Sequence, residues 1–349
     1  MKNPLTNNAY INDILHQPDA LRDTLSAFER QPFDEVRRLA DQLSAGSIKN
    51  IVLTGMGSSY HALQPLRLTL IGHSLPAELF ETSELIHFLP GLLSSDALIV
   101  AVSQSGQSVE MLQLLDKVGP KTPLLAVTNT PDSPLAQRSD AILLTHAGSE
   151  TTVSCKTYET ALAALSLLGD LLTGRGPLET LEALAASGGA MAQYLSRWEA
   201  HVEVLRQQLK EVRHLIVTGR GTSLAAAGTG GLIVKESAHF PAEGMSSAAF
   251  RHGPFEMVSP AMFVLVLAGL GPTRQLNANL VADVRKAGGR AELISVEQGQ
   301  GPFSLPPTPE AGLPLLEILP VQMVSIALAV LNGHNPGQFE RATKITLVA

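Results

Sequence analysis

The chain has 349 residues, which is long for one domain and gives two domains enough sequence to bury a core each. Hydrophobic residues make up 45% and charged residues 16%, which argues against disorder, and a net charge of -7 without a Lys/Arg cluster leaves no basic surface for nucleic acid. The single cysteine, Cys155, excludes an intrachain disulfide or a cysteine-based zinc site and fits a reducing compartment.

The N-terminal segment, residues 1–45, is predicted to be a helical lead-in, with helix beginning near residue 9. Its polar start lacks the continuous apolar stretch of a signal peptide, and no apolar run in the chain is expected to reach the length of a membrane span. We therefore expect a soluble, cytoplasmic protein that binds neither membrane nor nucleic acid.

An internal repeat organises the rest of the chain. The segment Leu53–Ser59 recurs as Val217–Ser223, 164 positions later (219 minus 55), and at the same offset the apolar run Ala97–Val102 matches Ala261–Val266. Repetition at a fixed offset indicates two copies of one structural unit. The predicted divisions are 1–45 for the lead-in, 46–180 and 181–330 for the two repeats, and 331–349 for a C-terminal tail.

Each half alternates short aliphatic runs with segments of helical length, which is typical of a doubly wound parallel α/β sheet. The predicted strands are Asn50–Thr54, Ala97–Val102, Pro123–Thr128 and Ala141–Thr145 in the first half, and His214–Thr218, Met262–Leu267, Ala291–Val296 and Leu315–Ile318 in the second. Sheets of this kind bind ligands beyond the carboxyl ends of their strands.

A serine-rich turn, Ser103–Ser108, lies between a predicted strand and a predicted helix. Serine hydroxyls and the amides of a helix N-terminus together form an anion site that needs no Lys or Arg. The alternative is that the serines only cap the helix. The second half carries Leu267, Ala268 and Gly269 at the positions taken as equivalent, so the fold does not require the hydroxyls and the binding interpretation is favoured.

The turn Gly55–Ser59 also joins a predicted strand to a helix, and Ser58 and Ser59 are candidate ligand contacts. Its close copy in the second half weakens this functional argument, because a tight turn explains the glycines in both copies.

Three further residues are candidates for proton transfer and charge stabilisation. Glu236 follows Lys235 in an otherwise small and apolar stretch, so it is either a partly buried base or a solvated carboxylate paired with that lysine. His252 precedes a Gly-Pro turn and is either a proton shuttle or a surface residue. Lys344 lies in the tail beside an apolar segment that makes fraying of the end less favourable.

These motifs resemble the SIS (sugar isomerase) family, in particular the double-domain isomerase module of glucosamine-6-phosphate synthases and stand-alone deaminases. The resemblance covers nearly the whole chain in order and spacing, and rests on Gly57–Ala62, Ser83-Glu84, Ser103–Gly106, Val153–Lys156, Lys235-Glu236, Arg251–Pro254 and Lys344. It implies two tandem SIS domains, each a flavodoxin-like three-layer α/β sandwich.

The resemblance also implies a role for each matching residue. The implied phosphate cradle is Ser103, Gln104, Ser105 and Ser108, and the implied sugar contacts are Ser59 and Val153. Glu236 resembles the base that moves a proton between C1 and C2, and His252 resembles the ring-opening histidine that the neighbouring subunit supplies. Lys344 resembles the lysine that contacts the open-chain sugar. A homodimer with composite sites follows from the resemblance, and no metal or organic cofactor is expected.

Two features depart from the synthase pattern. Lys2 follows Met1 where the synthase has a cysteine nucleophile, and no glutaminase domain precedes the first repeat, so glutamine-dependent synthesis is not expected. Gly337 stands where stand-alone relatives often have aspartate, and Lys344 follows Arg341-Ala342-Thr343 in place of Asn-Leu-Ala. These departures leave the identity of the sugar open.

The expected activity is deamination and isomerisation of glucosamine 6-phosphate to fructose 6-phosphate and ammonia. Galactosamine 6-phosphate deamination and fructosamine 6-phosphate cleavage are alternatives on the same fold. A non-catalytic phosphosugar sensor is the alternative from another class, although binding alone would need the serine turn and not Glu236, His252 and Lys344 together.

Overall fold

The computed structural model describes residue 5 and residues 7–297, 299–341 and 343–344. They divide into two compact units. The first-sheet unit contains Asp19–Ser149, Lys156–Glu182 and, from the tail, Thr343 and Lys344. The second-sheet unit contains Ala183–Arg341, Glu150–Cys155 and the N-terminal residues up to Pro18. The predicted lead-in and the predicted tail are therefore each shared between the two units.

Helices and strands alternate through most of the chain, as the sequence predicted. The helices are α1 Ala9–Leu15, α2 Gln17–Phe28, α3 Asp34–Ser44, α4 Ser58–Gly72, α5 Thr82–Phe88, α6 Val109–Lys117, α7 Pro134–Arg138, α8 Lys156–Leu172, α9 Leu178–Leu195, α10 Trp198–Gln208, α11 Leu224–Ala238, α12 Ser247–Arg251, α13 Arg274–Lys286 and α14 Leu313–Leu331. The strands are β1 Asn50–Gly55, β2 Ala77–Glu81, β3 Ala97–Val102, β4 Leu124–Thr128, β5 Ala141–Leu144, β6 His214–Gly219, β7 Ala242–Ser246, β8 Met262–Leu267, β9 Arg290–Val296 and β10 Ser304–Leu305.

Both sheets are parallel and have the same topology. The strand order is β2-β1-β3-β4-β5 in the first-sheet unit and β10-β9-β8-β6-β7 in the second. This is the flavodoxin-like order, in which the chain reverses direction across the sheet between β1 and β3 and again between β6 and β8. The predicted α/β fold with two doubly wound sheets is confirmed.

Burial explains why the central strands are aliphatic throughout. All six residues of β3 and all six of β8 are buried, which is usual for a parallel strand covered on both faces. On one face of the first sheet, β3 and β4 pack with α5 and α6, and on the matching face of the second, β8 packs with α13. Serine caps such as Ser108 and Ser133 begin the helices that follow strands.

One predicted strand is wrong. Leu315–Ile318 lies inside α14, because the apolar run continues to Leu331 and a run of that length is helical in a compact unit. Strands β2, β7 and β10 were not predicted, since AELFE and AEGMS are too polar to form a buried aliphatic run and β10 has two residues.

The register of the repeat also needs a correction. Asn50 pairs with Ala97 in the first sheet and His214 pairs with Met262 in the second, so the offset for β3 and β8 is 165 (262 minus 97). The structural equivalents of Ser103, Gln104 and Ser105 are therefore Ala268, Gly269 and Leu270, one residue later than the sequence comparison gave.

Helix α14 bears on the expectation that no apolar run in the chain is long enough to span a membrane. Together with the turn before it, α14 forms the segment Glu310–Leu331, which is long enough to cross a membrane and whose most apolar 18-residue stretch has a mean hydropathy of 2.0, so the expectation that no run reaches this length was wrong. It is the one such segment among the described residues, and 94% of its most apolar stretch is buried inside the protein. Burial of that extent is what a core helix requires, which accounts for its composition.

Candidate functional site

The first candidate site lies at the reversal point of the first sheet. The last residues of β1 and β3, Gly55 and Val102, are register partners, so both strands end at the same level. The turn carrying Ser58 and Ser59 leaves β1, and the serine loop, Ser103–Ser108, leaves β3. The structure therefore brings these two predicted segments together at the edge where doubly wound folds bind ligands.

The serine loop is organised by its own hydroxyl oxygens. Ser103 Oγ accepts the Gly106 N–H at 3.1 Å, and Ser105 Oγ accepts the Gln107 N–H at 3.4 Å. Ser108 Oγ accepts the Met111 N–H at 3.4 Å and caps α6. Since a hydroxyl is both donor and acceptor, each of these serines keeps an O–H for an incoming anion.

Gly106 has a conformational role in this loop. Its φ of +62° lies in the left-handed region, and a Cβ at this position would lie 2.3 Å from Ser133 Oγ. Only glycine permits this approach without displacing the cap of α7. The loop backbone is thereby held against the start of α7, and it leads directly into α6, whose first-turn amides favour negative charge.

A second layer of polar groups fixes Gln104. Its carbonyl oxygen accepts the Asn129 N–H at 3.1 Å, the Thr128 hydroxyl at 3.3 Å and the Thr130 hydroxyl at 3.2 Å. These three residues lie at the end of β4, the neighbour of β3. The loop is therefore anchored before any ligand binds, which lowers the entropic cost of binding.

Ser58 and Ser59 begin α4 and are half-buried. A Cβ on Gly55 would lie 3.1 Å from Ser59 Cβ, and a Cβ on Gly219 would lie 2.9 Å from Ser223 Cβ. The glycines in both copies are thus required by the tight turn, which agrees with the structural explanation given for them from the sequence. A ligand role for Ser58 and Ser59 remains a prediction.

The equivalent edge of the second sheet is filled by the protein itself. Ser223, the counterpart of Ser59, donates its hydroxyl to Glu317 Oε1 at 2.8 Å, and Glu317 is 1% exposed. Burial raises the pKa of Glu317 to about 8, against the hydrogen bonds from Ser223 and the Gly269 backbone, which lower it. A buried carboxyl thus lies where the first sheet has the residues predicted to bind an anion.

Glu236 lies in the last turn of α11 and is half-buried. Its neighbour Lys235 lies 3.8 Å from the carboxylate of Glu243. Tyr10, in α1, is fully buried and shares a hydrogen bond of 3.1 Å with Ser325. Burial raises the pKa of the Tyr10 phenol most, and electrostatic interaction with Cys155 and Glu236 raises it further. Glu236 is therefore close enough to Tyr10 to act on it electrostatically, a neighbour that the sequence did not indicate.

Val153 lies in the short segment 150–155 and is fully buried. Glu150 closes this segment by accepting the backbone N–H of Cys155 at 2.9 Å and its thiol at 3.3 Å. The side chain of Val153 is therefore packed, and the predicted sugar contact of this residue would use its main chain.

His252 and Lys344 lie in contrasting surroundings. His252 is exposed and ends α12 just before Gly253, whose φ is +125°. Lys344 is half-buried and belongs to the first-sheet unit. Nothing in the described residues tests their predicted roles, which remain predictions.

Gly337, the departure noted in the tail, has a local explanation. Its φ is +76°, and a Cβ would lie 2.4 Å from Tyr10 Cβ. Its amide donates to the Ser237 carbonyl at 3.0 Å, one residue after Glu236. An aspartate would not fit this conformation without moving Tyr10.

Sequence comparison identifies known relatives over most of the chain. A family model described as the SIS domain matches residues 47–170 and 208–331. A glutamine–fructose-6-phosphate aminotransferase of Pyrococcus horikoshii is 28% identical over 357 residues, covering 97% of this chain and 57% of that protein. The same enzyme of Thermococcus kodakarensis is 28% identical over 363 residues, covering 97% and 58%. The chain thus spans less than two thirds of these relatives.

Solved structures share the fold. The C-terminal domain of glucosamine-fructose-6-phosphate aminotransferase from Francisella tularensis superposes with a TM-score of 0.83 at 22% identity, covering 95% of this chain and 98% of that one. Glucosamine-6-phosphate deaminase from Thermotoga maritima gives a TM-score of 0.76 at 18% identity, covering 97% and 100%. Because the family model matches both halves and most of the chain, this protein belongs to the SIS domain family.

Proposed function

We propose that this protein converts glucosamine 6-phosphate and water to fructose 6-phosphate and ammonia. The serine loop is the observation that carries the proposal. Its three hydroxyls each accept a backbone N–H and keep a donor for phosphate. At the equivalent place in the second half, Ala268 and Leu270 lack a hydroxyl, so the fold forms without the groups at 103 and 105.

The proposed chemistry is a proton transfer followed by hydrolysis. Glu236, as base, takes the C2 proton of the open-chain amino sugar and returns it to C1, while a proton of the amine passes to O1, which leaves a ketose imine at C2. Water then adds to C2, the C2–N bond breaks, and the nitrogen leaves as ammonia, which gives the C2 ketone of fructose 6-phosphate. Lys344 would stabilise the negative charge that develops during the transfer. The roles of Glu236 and Lys344 rest on the family resemblance.

His252 is proposed to open the sugar ring for a neighbouring subunit of a homodimer. Its exposure supports this role, because a residue used by another chain has to be accessible in the isolated one. Heterodimers purified with two tags, one subunit Glu236→Gln and one His252→Ala, test it. About half of the sites are then intact and active if the site is shared between chains. Inactive heterodimers would show that His252 does not act across the interface.

Product analysis tests the reaction. Ammonia and fructose 6-phosphate should appear in equal amounts from glucosamine 6-phosphate, and Glu236→Gln should lower kcat by about 10²–10⁴-fold, as loss of a general base does. Glu203→Gln, on the exposed face of α10 in a pair with Arg206, makes the same chemical change as a control and should leave kcat unchanged.

The substrate panel includes galactosamine 6-phosphate and fructosamine 6-phosphate. A higher kcat/KM for either would reassign the substrate on the same site. No ammonia from any of the three, with phosphosugar binding retained, would contradict the deaminase proposal and favour a substrate outside this panel or a sensor.

A further inference from the structure

Two histidines and a glutamate converge in the second-sheet unit. His239 is the residue that ends α11, His334 follows the turn after α14, and Glu340 lies near the end of the described tail. Their ligand atoms all lie within 4.8 Å of one another. None of the three belongs to the proposed catalytic set.

The distances are close to those of a metal site. The Nδ1 atoms of His239 and His334 each lie 3.7 Å from the same oxygen, Oε1 of Glu340. The two rings meet edge to face with centroids 4.6 Å apart. Bond lengths of about 2.0–2.1 Å around tetrahedral zinc place neighbouring ligand atoms about 3.3 Å apart. The third separation, between the two histidines, is at most 4.8 Å, so side-chain movements of up to ~1.5 Å would close the site around an ion.

The hydrogen bonding of His239 defines which of its ring nitrogens has a lone pair available for a metal ion. Nε2 lies 3.1 Å from the Gln338 carbonyl oxygen, which can only accept, so Nε2 carries a proton. In the neutral ring Nδ1 then holds a lone pair. Nδ1 is buried and has no hydrogen-bond partner among the described residues. A ring N–H donated to a backbone carbonyl is the outer-shell arrangement that orients metal-binding histidines.

The backbone at His239 is also unusual. Its φ of +49° is left-handed, which is uncommon for a residue other than glycine and persists where the surroundings fix it. The His334 and Glu340 side chains are 33% and 47% exposed, so an ion and a water ligand have access.

We propose that His239, His334 and Glu340 bind one divalent transition-metal ion, with Zn²⁺ as the preferred class. Imidazole and carboxylate donors suit Zn²⁺ and Co²⁺, whereas Mg²⁺ and Ca²⁺ prefer oxygen ligands alone. Three protein ligands leave a fourth position for water. The ion would join the end of α11 to the tail segment 333–341, which already donates the Gly337 amide to α11.

Metal titration of the full chain, stripped with chelator, tests this proposal. We expect calorimetry to show one Zn²⁺ per chain, and Co²⁺ to give the visible absorption of a tetrahedral site. His334→Ala and Glu340→Ala should each weaken binding at least tenfold. His73→Ala removes an exposed histidine of the other unit and controls for nonspecific binding.

Two results would overturn the site. One is Zn²⁺ and Co²⁺ affinity weaker than ~100 µM in the wild type. The other is binding that persists unchanged in His334→Ala and Glu340→Ala, each checked for native circular dichroism. In either case the three groups form a histidine–carboxylate cluster without a metal. These readouts measure binding and not turnover, so they are independent of the deaminase proposal.

Discussion

Glu317 is a carboxyl group that the fold holds in its neutral form, and this makes stability depend on pH. It lies inside α14 at 1% exposure, with one oxygen accepting the Ser223 hydroxyl at 2.8 Å. Burial raises its pKa from 4.5 to about 8. In the unfolded chain the same group ionises near its ordinary value. Folding therefore takes up a proton between about pH 4.5 and 8.

The sign and size of the effect follow from this shift. Because the folded pKa is raised, the folded state binds more protons in that window, and the free energy of unfolding falls as the pH rises through it. The full shift corresponds to roughly 5 kcal/mol, at about 1.4 kcal/mol per pH unit. Glu317→Gln keeps the shape and an acceptor for Ser223 but does not ionise, so it loses this dependence.

Tryptophan fluorescence during urea unfolding reports on the second-sheet unit, which contains Glu317. The single tryptophan, Trp198, begins α10, which packs against α14 in the second-sheet unit. We expect wild type and Glu317→Gln to have similar midpoints at pH 5 and the variant to have the higher midpoint at pH 9. Parallel pH profiles for the two proteins would refute a neutral buried carboxyl at this position.

Three further substitutions test the packing around the candidate residues. Gly106→Ala places a Cβ 2.3 Å from Ser133 Oγ at a left-handed φ, so we expect a loss of about 1–3 kcal/mol in urea unfolding and weaker phosphosugar binding; an unchanged protein would contradict the loop geometry. Gly337→Ala brings a Cβ 2.4 Å from Tyr10 Cβ and should lower Tm by several degrees in calorimetry, whereas an equal Tm would show that the tail segment is not packed there. Tyr10→Phe removes the hydrogen bond to Ser325 and should cost about 1 kcal/mol in urea unfolding, and no loss would show that the bond contributes nothing.

The fold could be predicted from the sequence where local pattern decides the outcome. Strands such as β3 and β8 are aliphatic at every position, because both faces are covered, and their limits were predicted to the residue. Helix α14 was misread at Leu315–Ile318, because a short part of an apolar helix has the composition of a buried strand. Short edge strands such as β2 carry too few apolar residues to be recognised.

The candidate site, too, could be predicted from the sequence only where its residues are neighbours in the chain. The serine loop is contiguous, so its hydroxyls and its following helix were visible in the sequence. The pairing of Ser223 with Glu317, and of His239 with Glu340, joins residues far apart in the chain. Such groups are brought together only by the topology of the sheet and the path of the tail, and a single sequence carries no signal for them.

Calorimetric binding of glucosamine 6-phosphate to the serine loop tests the central claim most directly. Each hydrogen bond to a charged phosphate contributes about 1.5–3 kcal/mol, so Ser103→Ala with Ser105→Ala should weaken binding at least a hundredfold. Ser139→Ala removes a hydroxyl that bonds the Leu135 carbonyl in the same unit and should bind normally. Unphosphorylated glucosamine should not bind. Equal affinity in the double variant, or equal affinity for unphosphorylated glucosamine, would contradict a phosphate site at this loop.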